Sequence, residues 1–290
     1  MSLLVSLNGG LGNLLFQLAA ARTARYVTPN VALIEMTPGL FGRLQQYIGE
    51  IEIPLASKLQ HQIFASSGSE WDGPKHHFAK ALRYVFRPLM LEPIPAFTGI
   101  PQSFRRMTHV LDGYFQHPDW YRGQVARICA ELVQNRPALL PQELSGVVAV
   151  HLRRSDYVRQ GWDLKPAFYR AVVDRINSLQ GVERVMILSD DSMVEELFAL
   201  QVQASGLIVV DKGVFGPSSA RRDFYLLAAS QTLFLSNSTF SWWAAQLRFH
   251  SDPGNDRLIY CPKPWMPDGS GRLLQNPSWI GINAVYEVDS

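Results

Sequence analysis

The second half of the chain alternates short, largely apolar runs with helix-patterned segments, and this alternation constrains the fold more than any other feature. The runs occupy 147–152, 185–188, 207–210, 232–235 and 257–260. Segments with apolar residues three and four positions apart separate them, at 166–179, 192–200, 218–229 and 240–248. Strands that alternate with helices form βαβ units, whose strands pair in parallel. The pattern therefore predicts an α/β fold.

The beginning of the chain has the same character. Residues 3–7 form an apolar run, the turn N-G-G follows, and residues 13–25 have helical spacing. A strand, a glycine-rich turn and a helix open a Rossmann-like domain. Two prolines within 135–141 indicate a linker. We predict two Rossmann-like domains, at 1–136 and 145–290, and leave the secondary structure of 38–108 open.

Composition narrows the class of protein. Of 290 residues, 47% are hydrophobic and 18% charged, with a net charge of +2. Nearly neutral charge argues against a nucleic-acid binder. Two distant cysteines offer no disulfide framework and favour a reducing compartment. The start lacks the basic region of a signal peptide. We expect a cytoplasmic protein and leave open a peripheral association with the inner face of the membrane, as well as the oligomeric state.

Polar residues follow three of the predicted strands, where open α/β sheets bind ligands. The first segment, H-L-R-R-S-D-Y at 151–157, holds two adjacent arginines. A guanidinium grips phosphate with two hydrogen bonds, and Asp156 could hold one guanidinium in place. The alternative is a structural ion pair at the end of a strand. The residue types leave the two readings about equal.

The other two segments also admit two interpretations. Asp190 and Asp191 could bind a ribose or base, or one of them could cap the next helix. A metal role is disfavoured because the chain has no D-x-D triplet. The segment S-N-S-T-F-S-W-W at 236–243 leads into a helix whose N-terminal amides suit a phosphate. The alternative is an ordinary cap by Ser238 or Thr239, with the tryptophans in the core.

Six short patterns follow one another in a fixed order along the chain. They are G-G-L-G-N at 9–13, G-Y-F-Q at 113–116, H-L-R-R-S-D-Y at 151–157, S-D-D at 189–191, N-S-T-F-S-W-W at 237–243 and P-K-P-W at 262–265. The series resembles the inverting α1,2-fucosyltransferases of glycosyltransferase family 11. Ser155 stands where that family commonly has glycine, and Thr239 where it has a second serine.

The resemblance implies a GT-B architecture, with two Rossmann-like domains facing a central cleft. The C-terminal domain would bind GDP-fucose, the N-terminal domain would shape the acceptor site, and neither a metal nor another cofactor would be needed. The implied catalytic residues are Arg153, which would stabilise the leaving diphosphate, Asn13 and Asp156. The implied donor-binding residues are Gly10, Gly12, His151, Arg153, Arg154, Asp190, Ser236, Asn237, Ser238, Thr239 and Phe240.

The implied reaction transfers L-fucose from GDP-β-L-fucose to the 2-hydroxyl of a terminal β-galactoside, such as lactose, with inversion. The general base stays open, because an aspartate that holds an arginine is a poor base. The diphosphate or an acidic residue of the first domain are alternatives to Asp156. Rival functions are an α1,6- or protein O-fucosyltransferase and a non-catalytic sugar-binding protein. A nicotinamide enzyme is disfavoured because Leu15 breaks the G-x-G-x-x-G pattern.

Overall fold

The chain forms two compact units, Met1–Asn135 and Arg136–Ser290. The computed structural model describes residues 3–57, 60, 91–100, 110–141, 144–182, 184–251, 258–284 and 286. The division between the units falls within the proline-containing segment that indicated a linker. Much of 38–108, the region whose secondary structure the sequence leaves open, lies outside the described residues.

The first unit is a parallel sheet flanked by helices. Its elements are β1 (Leu3–Leu7), α1 (Leu11–Ala24), β2 (Val31–Glu35), α2 (Leu40–Ile48), β3 (Leu91–Ile94), β4 (Val110–Gly113), α3 (Pro118–Tyr121), a 3₁₀ turn (Arg122–Gln124) and α4 (Val125–Gln134). The strands are parallel in the order β2-β1-β4-β3. Helix α1 is buried on nearly all sides, because its many alanines and leucines let other elements approach it closely.

One charged side chain lies inside this core. Arg22, 3% exposed, donates two hydrogen bonds of 3.0 Å to the carboxylate of Glu52 and one of 2.9 Å to Glu131. Burial by itself would raise the pKa of Glu52, but the bonds and charges of Arg22 and Arg127 hold that pKa below its ordinary value. A buried guanidinium needs such partners, since an unpaired charge in the core is strongly destabilising.

The second unit has a larger sheet. Its elements are β5 (Leu144–Leu152), α5 (Ser155–Arg159), α6 (Pro166–Asn177), β6 (Arg184–Ser189), α7 (Ser192–Ala204), β7 (Ile208–Val209), a 3₁₀ turn (Lys212–Phe215), α8 (Ala220–Ala229), β8 (Ser230–Phe234), α9 (Thr239–Ser251), β9 (Ile259–Lys263), a 3₁₀ turn (Arg272–Leu274) and β10 (Ile280–Asn283). The parallel strands are ordered β7-β6-β5-β8-β9-β10. This is the Rossmann order. Since each unit is built on a parallel sheet with helices, the α/β class and the prediction of two Rossmann-like domains are confirmed. The central cleft stays a prediction.

Two expected elements end differently. The apolar spacing of residues 120–134 predicts one helix. Helix α4 ends at Gln134 as that pattern predicts, but the 3₁₀ turn, which contains Gly123, separates it from α3. The apolar run at 110–115 predicts a strand. The observed β4 stops at Gly113, because Phe115 adopts a φ of 51° that no strand accommodates. The sequence pattern does not indicate strands β2 and β10 or helix α5, and α2 lies within 38–108, whose secondary structure it leaves open.

The two cysteines lie apart, one in each unit. Cys129, in α4, and Cys261, in β9, are both buried and free. Burial raises the pKa of each thiol to about 12. Among the described residues, no helix combines the length and apolar character needed to cross a membrane.

Candidate functional site

The strand order of the second unit reverses between β5 and β8, and the candidate site lies at that reversal. From β5 the chain proceeds outward to β6 and β7, and from β8 it proceeds outward in the other direction. The loops that leave β5 and β8 therefore diverge and open a crevice at the carboxyl ends of these strands. The predicted segments 151–157 and 236–243 border this crevice, and 189–191 follows the adjacent strand β6.

Arg153 is the central cation of this crevice. Its Nη2 lies 2.6 Å from Oδ1 of Asp156, and its Nη1 lies 2.7 Å from Oδ2 of Asp190. The guanidinium carbon lies 5.3 Å from the ring centroid of Tyr157. The side chain remains 32% exposed. Two carboxylates and an aromatic ring thus orient a guanidinium that an incoming anion can still reach.

Arg154 points to a different partner. Its Nη1 lies 2.5 Å from Oδ2 of Asp163, and Lys165 lies 3.4 Å from the other oxygen of the same carboxylate. Asp163 is only 4% exposed. The resemblance implies that Arg154 either assists the phosphates or locks the motif, and its ion pair with Asp163 favours locking. The sequence pattern missed Asp163, because a lone aspartate in a turn carries no signal of burial.

The two neighbouring aspartates after β6 have different partners. Asp190 accepts a 2.8 Å hydrogen bond from the backbone amide of Arg154, besides its ion pair with Arg153. Asp191 caps α7 by accepting from the amide of Val194. One of the pair is therefore a helix cap, as the capping interpretation predicted. Contact of Asp190 with the nucleoside stays a prediction.

His151 lies beneath the crevice, 7% exposed. Its Nδ1 is 2.7 Å from Oγ of Ser236, and its ring stacks on Phe240 with centroids 5.4 Å apart. Burial lowers the pKa of His151 to about 4, with Asp190 opposing that effect and Arg153 adding to it. The imidazole is therefore neutral near pH 7, and it joins the strand end of β5 to that of β8.

The start of α9 closes the other wall. Ser236, Asn237 and Ser238 are buried, whereas Thr239 and Phe240 are partly exposed. The hydroxyl of Ser238 accepts from the amide of Phe240, as the capping alternative predicted. Donor contacts of these five residues, which the resemblance implies, stay predictions. Trp242 and Trp243, 2% and 0% exposed, belong to the core as expected.

Asn237 joins this wall to the arginine segment. Its Nδ2 donates a 2.8 Å hydrogen bond to the backbone carbonyl of Trp162, and its backbone carbonyl accepts one from the hydroxyl of Tyr157. Neither Trp162 nor the more distant Tyr286, whose hydroxyl lies 3.4 Å from the same Nδ2, was singled out from the sequence. Both lie outside the six short patterns, so the sequence carries no signal that marks them.

In the first unit, the glycine turn and the G-Y-F-Q segment meet at the ends of β1 and β4. Gln116 donates to Oδ1 of Asn13 over 3.4 Å. Gly9 has a φ of 83°, a conformation that favours glycine, and no side chain caps α1 at Gly10. Gly12 is buried in the first turn of α1. The contacts of Gly10, Gly12 and Asn13 with a donor or a reacting sugar stay predictions.

Ser6 and Asp112 lie near the carboxyl ends of the two central strands of the first sheet, β1 and β4. The Ser6 hydroxyl donates 2.7 Å to Asp112. This is an acidic residue of the first domain, the class of residue that the sequence left open as a base. In the part of the chain that the structure describes, no group of three or more His, Cys, Asp or Glu side chains is placed to hold a metal ion.

Comparison with known proteins places these segments in a family. The profile described as Glycosyl transferase family 11 matches residues 75–251, more than half of the chain. The O-antigen biosynthesis glycosyltransferase WbnK of Escherichia coli is 26% identical over 147 residues, which are 48% of this chain and 46% of that protein. The galactoside alpha-(1,2)-fucosyltransferase 1 of Oryctolagus cuniculus is 25% identical over 211 residues, which are 67% and 52% of the two chains. The chain spans about half the length of both relatives.

Solved structures resemble the chain more distantly. The E. coli heptosyltransferase WaaC with ADP has a TM-score of 0.48 at 15% identity, covering 98% of this chain and 94% of that one. The fucosyltransferase NodZ from Bradyrhizobium has a TM-score of 0.40 at 15% identity, with 84% and 92% covered. The family profile extends from before β3 to the end of α9 and so includes all three segments of the crevice. The chain belongs to glycosyl transferase family 11.

Proposed function

We propose that this protein is a fucosyltransferase that moves L-fucose from GDP-β-L-fucose to the 2-hydroxyl of a terminal β-galactoside, with inversion and without a metal. Family membership supports glycosyl transfer. The names of relatives such as the rabbit enzyme support the sugar and the linkage. The observation that carries the proposal is Arg153, held between Asp156 and Asp190 at the switch point of the sheet and still partly exposed.

Arg153 acts on the leaving group. The acceptor hydroxyl oxygen forms a bond to C1 of fucose while the bond from C1 to the β-phosphate oxygen breaks, and GDP departs with the electron pair. Negative charge therefore grows on the diphosphate in the transition state. A guanidinium already oriented by two carboxylates needs no rearrangement to stabilise that charge, which is the condition for effective electrostatic catalysis.

Other groups at the crevice also stabilise the negative charge that grows on the diphosphate. The amides at the start of α9 add the positive end of a helix to the crevice. The acceptor proton must pass to a base, and Asp156 and Asp190 are both bound to Arg153. Asp163 is bound to Arg154 and Lys165. Since these carboxylates are occupied, we propose that the proton goes to the departing diphosphate or to an acidic group of the first unit.

The direct test incubates the protein with GDP-fucose and lactose in EDTA and searches by mass spectrometry for a product one deoxyhexose heavier. Arg153→Ala should lower kcat by about two to three orders of magnitude, because a donor of this kind contributes roughly 3–4 kcal/mol at the transition state. The matched control is Arg159→Ala, which removes an exposed arginine from the end of α5, six residues further along the chain. Near-normal turnover by the Arg153 variant would overturn its role.

A thermal-shift comparison with GDP, NAD and free sugars separates the rival functions. A fucosyltransferase should be stabilised strongly by GDP alone among these ligands, whereas a sugar-binding protein should respond to free sugars. Product formed on a peptide or on a core N-acetylglucosamine in place of lactose would instead favour the protein O- or α1,6-fucosyltransferase alternatives.

A further inference from the structure

The turn between α5 and α6 carries an unusual tryptophan. The structure describes six tryptophans, and five of them are 8% exposed or less. Trp162 is the exception, at 39%. An indole is large and apolar, so folding normally buries it. Its exposure is informative here because the turn that holds it borders the candidate site.

Hydrogen bonds fix the backbone of Trp162, and the turn leaves 39% of this residue exposed. The amide of Trp162 donates 2.9 Å to the carbonyl of Tyr157. Its carbonyl accepts 2.8 Å from Nδ2 of Asn237, and the next residue, Asp163, is bound to Arg154. The indole and the ring of Tyr157 are nearly perpendicular, with centroids 5.7 Å apart at 89°. The indole is thus held against Tyr157 while part of it stays exposed.

The order of the strands gives this face a direction. Asp190 follows β6, Arg153 follows β5 and Asn237 follows β8, and β5 lies between the other two strands. The backbone carbonyl of Trp162 is hydrogen-bonded to Asn237, so this residue lies on the β8 side of Arg153. Tyr157 links the two, since its ring contacts both the guanidinium of Arg153 and the indole.

A nucleotide sugar has three parts in a row: nucleoside, diphosphate and pyranose. The proposed function takes the β-phosphate to lie at Arg153 and the nucleoside toward Asp190, an acidic side chain of the kind that binds the ribose in Rossmann domains. In that orientation the pyranose extends to the β8 side. The C–H groups of a pyranose pack well on the apolar face of an aromatic ring. We propose that Trp162 is a stacking platform for the pyranose of the donor. This assignment rests on the proposed function, because it takes the donor to be a GDP-sugar.

The test compares two ligands that differ only in the sugar. Isothermal titration without acceptor measures the Kd of GDP and of GDP-fucose for wild type, Trp162→Ala and Trp162→Phe. The alanine variant should bind GDP as wild type does and GDP-fucose about tenfold more weakly, the usual scale of one aromatic contact. The phenylalanine variant retains a smaller ring and should fall between.

Phe249→Ala is the matched control, because it removes an exposed aromatic ring, 46% exposed, from the far end of α9 in the same unit. It should leave both Kd values unchanged. Equal weakening of GDP and GDP-fucose by Trp162→Ala would overturn the platform, and so would unchanged binding of both with a raised KM for the acceptor alone. Failure of wild type to bind either nucleotide would instead overturn the proposed function.

Discussion

A single buried carboxylate, Asp163, fixes the arginine that follows the catalytic candidate. It pairs with Arg154 and Lys165 at 4% exposure. Asp163→Asn keeps the shape of the side chain but leaves two cations facing a neutral amide. Breaking a buried pair in this way costs about 3–5 kcal/mol, reduced here to roughly 2–4 kcal/mol because Arg154 keeps some contact with solvent. Urea unfolding measures the loss.

The control for this variant is Asp191→Asn, the same chemical change one strand away. Asp191 caps α7, and asparagine caps a helix about as well as aspartate does. Its free energy of unfolding should therefore change little. Equal losses in the two variants would show that the Arg154–Asp163 pair has no special weight.

His151 makes stability depend on pH in a defined window. Its folded pKa of about 4 lies below the ordinary value of 6.5, so the unfolded chain binds the proton more readily. The contribution of His151 to the free energy of unfolding is present above about pH 6.5. It is lost as the pH is lowered from 6.5 toward 4, and below about pH 4 it changes no further. Between about pH 7.5 and pH 5 the loss should be roughly 2 kcal/mol.

Other groups titrate in the same window, so the measurement is a difference. Urea unfolding at both pH values is compared for wild type and His151→Gln, which keeps a polar side chain but cannot take up a proton. Wild type should lose about 2 kcal/mol more than the variant. Parallel losses would mean that His151 is already charged, or accessible to water, in the folded protein.

At the scale of elements, Gly113 shows how closely β3 and β4 approach. A Cβ at Gly113 would lie 2.3 Å from the carbonyl oxygen of Ile94, which belongs to the backbone of β3 and cannot rotate away. Gly113→Ala should therefore push the strands apart and destabilise the first unit by about 1–3 kcal/mol. Thermal unfolding followed by circular dichroism checks this.

Gly42→Ala is the comparison. Gly42 lies in the exposed part of α2, and a Cβ there meets nothing within 4 Å. Alanine should stabilise this position by about 0.5–1 kcal/mol, because it reduces the freedom of the unfolded chain. If the two alanine variants behaved alike, steric contact between β3 and β4 could not be the reason for glycine at position 113.

The elements that the sequence predicted well are those with a strong pattern. Helix α6 begins at the predicted proline, and β6 and β8 lie within a residue or two of their apolar runs. The pattern failed where geometry alone interrupts it. The apolar spacing continues through the 3₁₀ turn before α4, so one helix was expected where there are two. Strand β10 reads I-G-I-N, too short and too interrupted for a periodic signal.

At the scale of the whole molecule, parallel topology explains why the predicted segments meet. Residues 151–157 and 236–243 are far apart in the chain, but β5 and β8 are neighbours and their carboxyl ends share one edge. The alternation of strands and helices was therefore enough to predict this crevice. It could not reveal Asp163 or Trp162, since both come from a turn whose path depends on the hydrogen bonds of Arg154 and Asn237.

Each unit also has its own thiol. Cys129 and Cys261 are 1% and 3% exposed, and alkylating reagents attack the thiolate, which a pKa of about 12 makes scarce. Either cysteine should react only when its unit opens. Because each unit has its own sheet, the two reaction rates should report two separate openings.

GDP should slow one of these reactions. A ligand that binds the folded second unit lowers the population of its opened form, by about a hundredfold at a concentration of 100 times Kd. Alkylation of Cys261 should slow accordingly, while alkylation of Cys129 should not, as mass spectrometry of the two cysteine peptides would show. Equal slowing would mean that the units open together. The alkylation rates of the two natural cysteines thus measure the opening of each unit separately, without an engineered label.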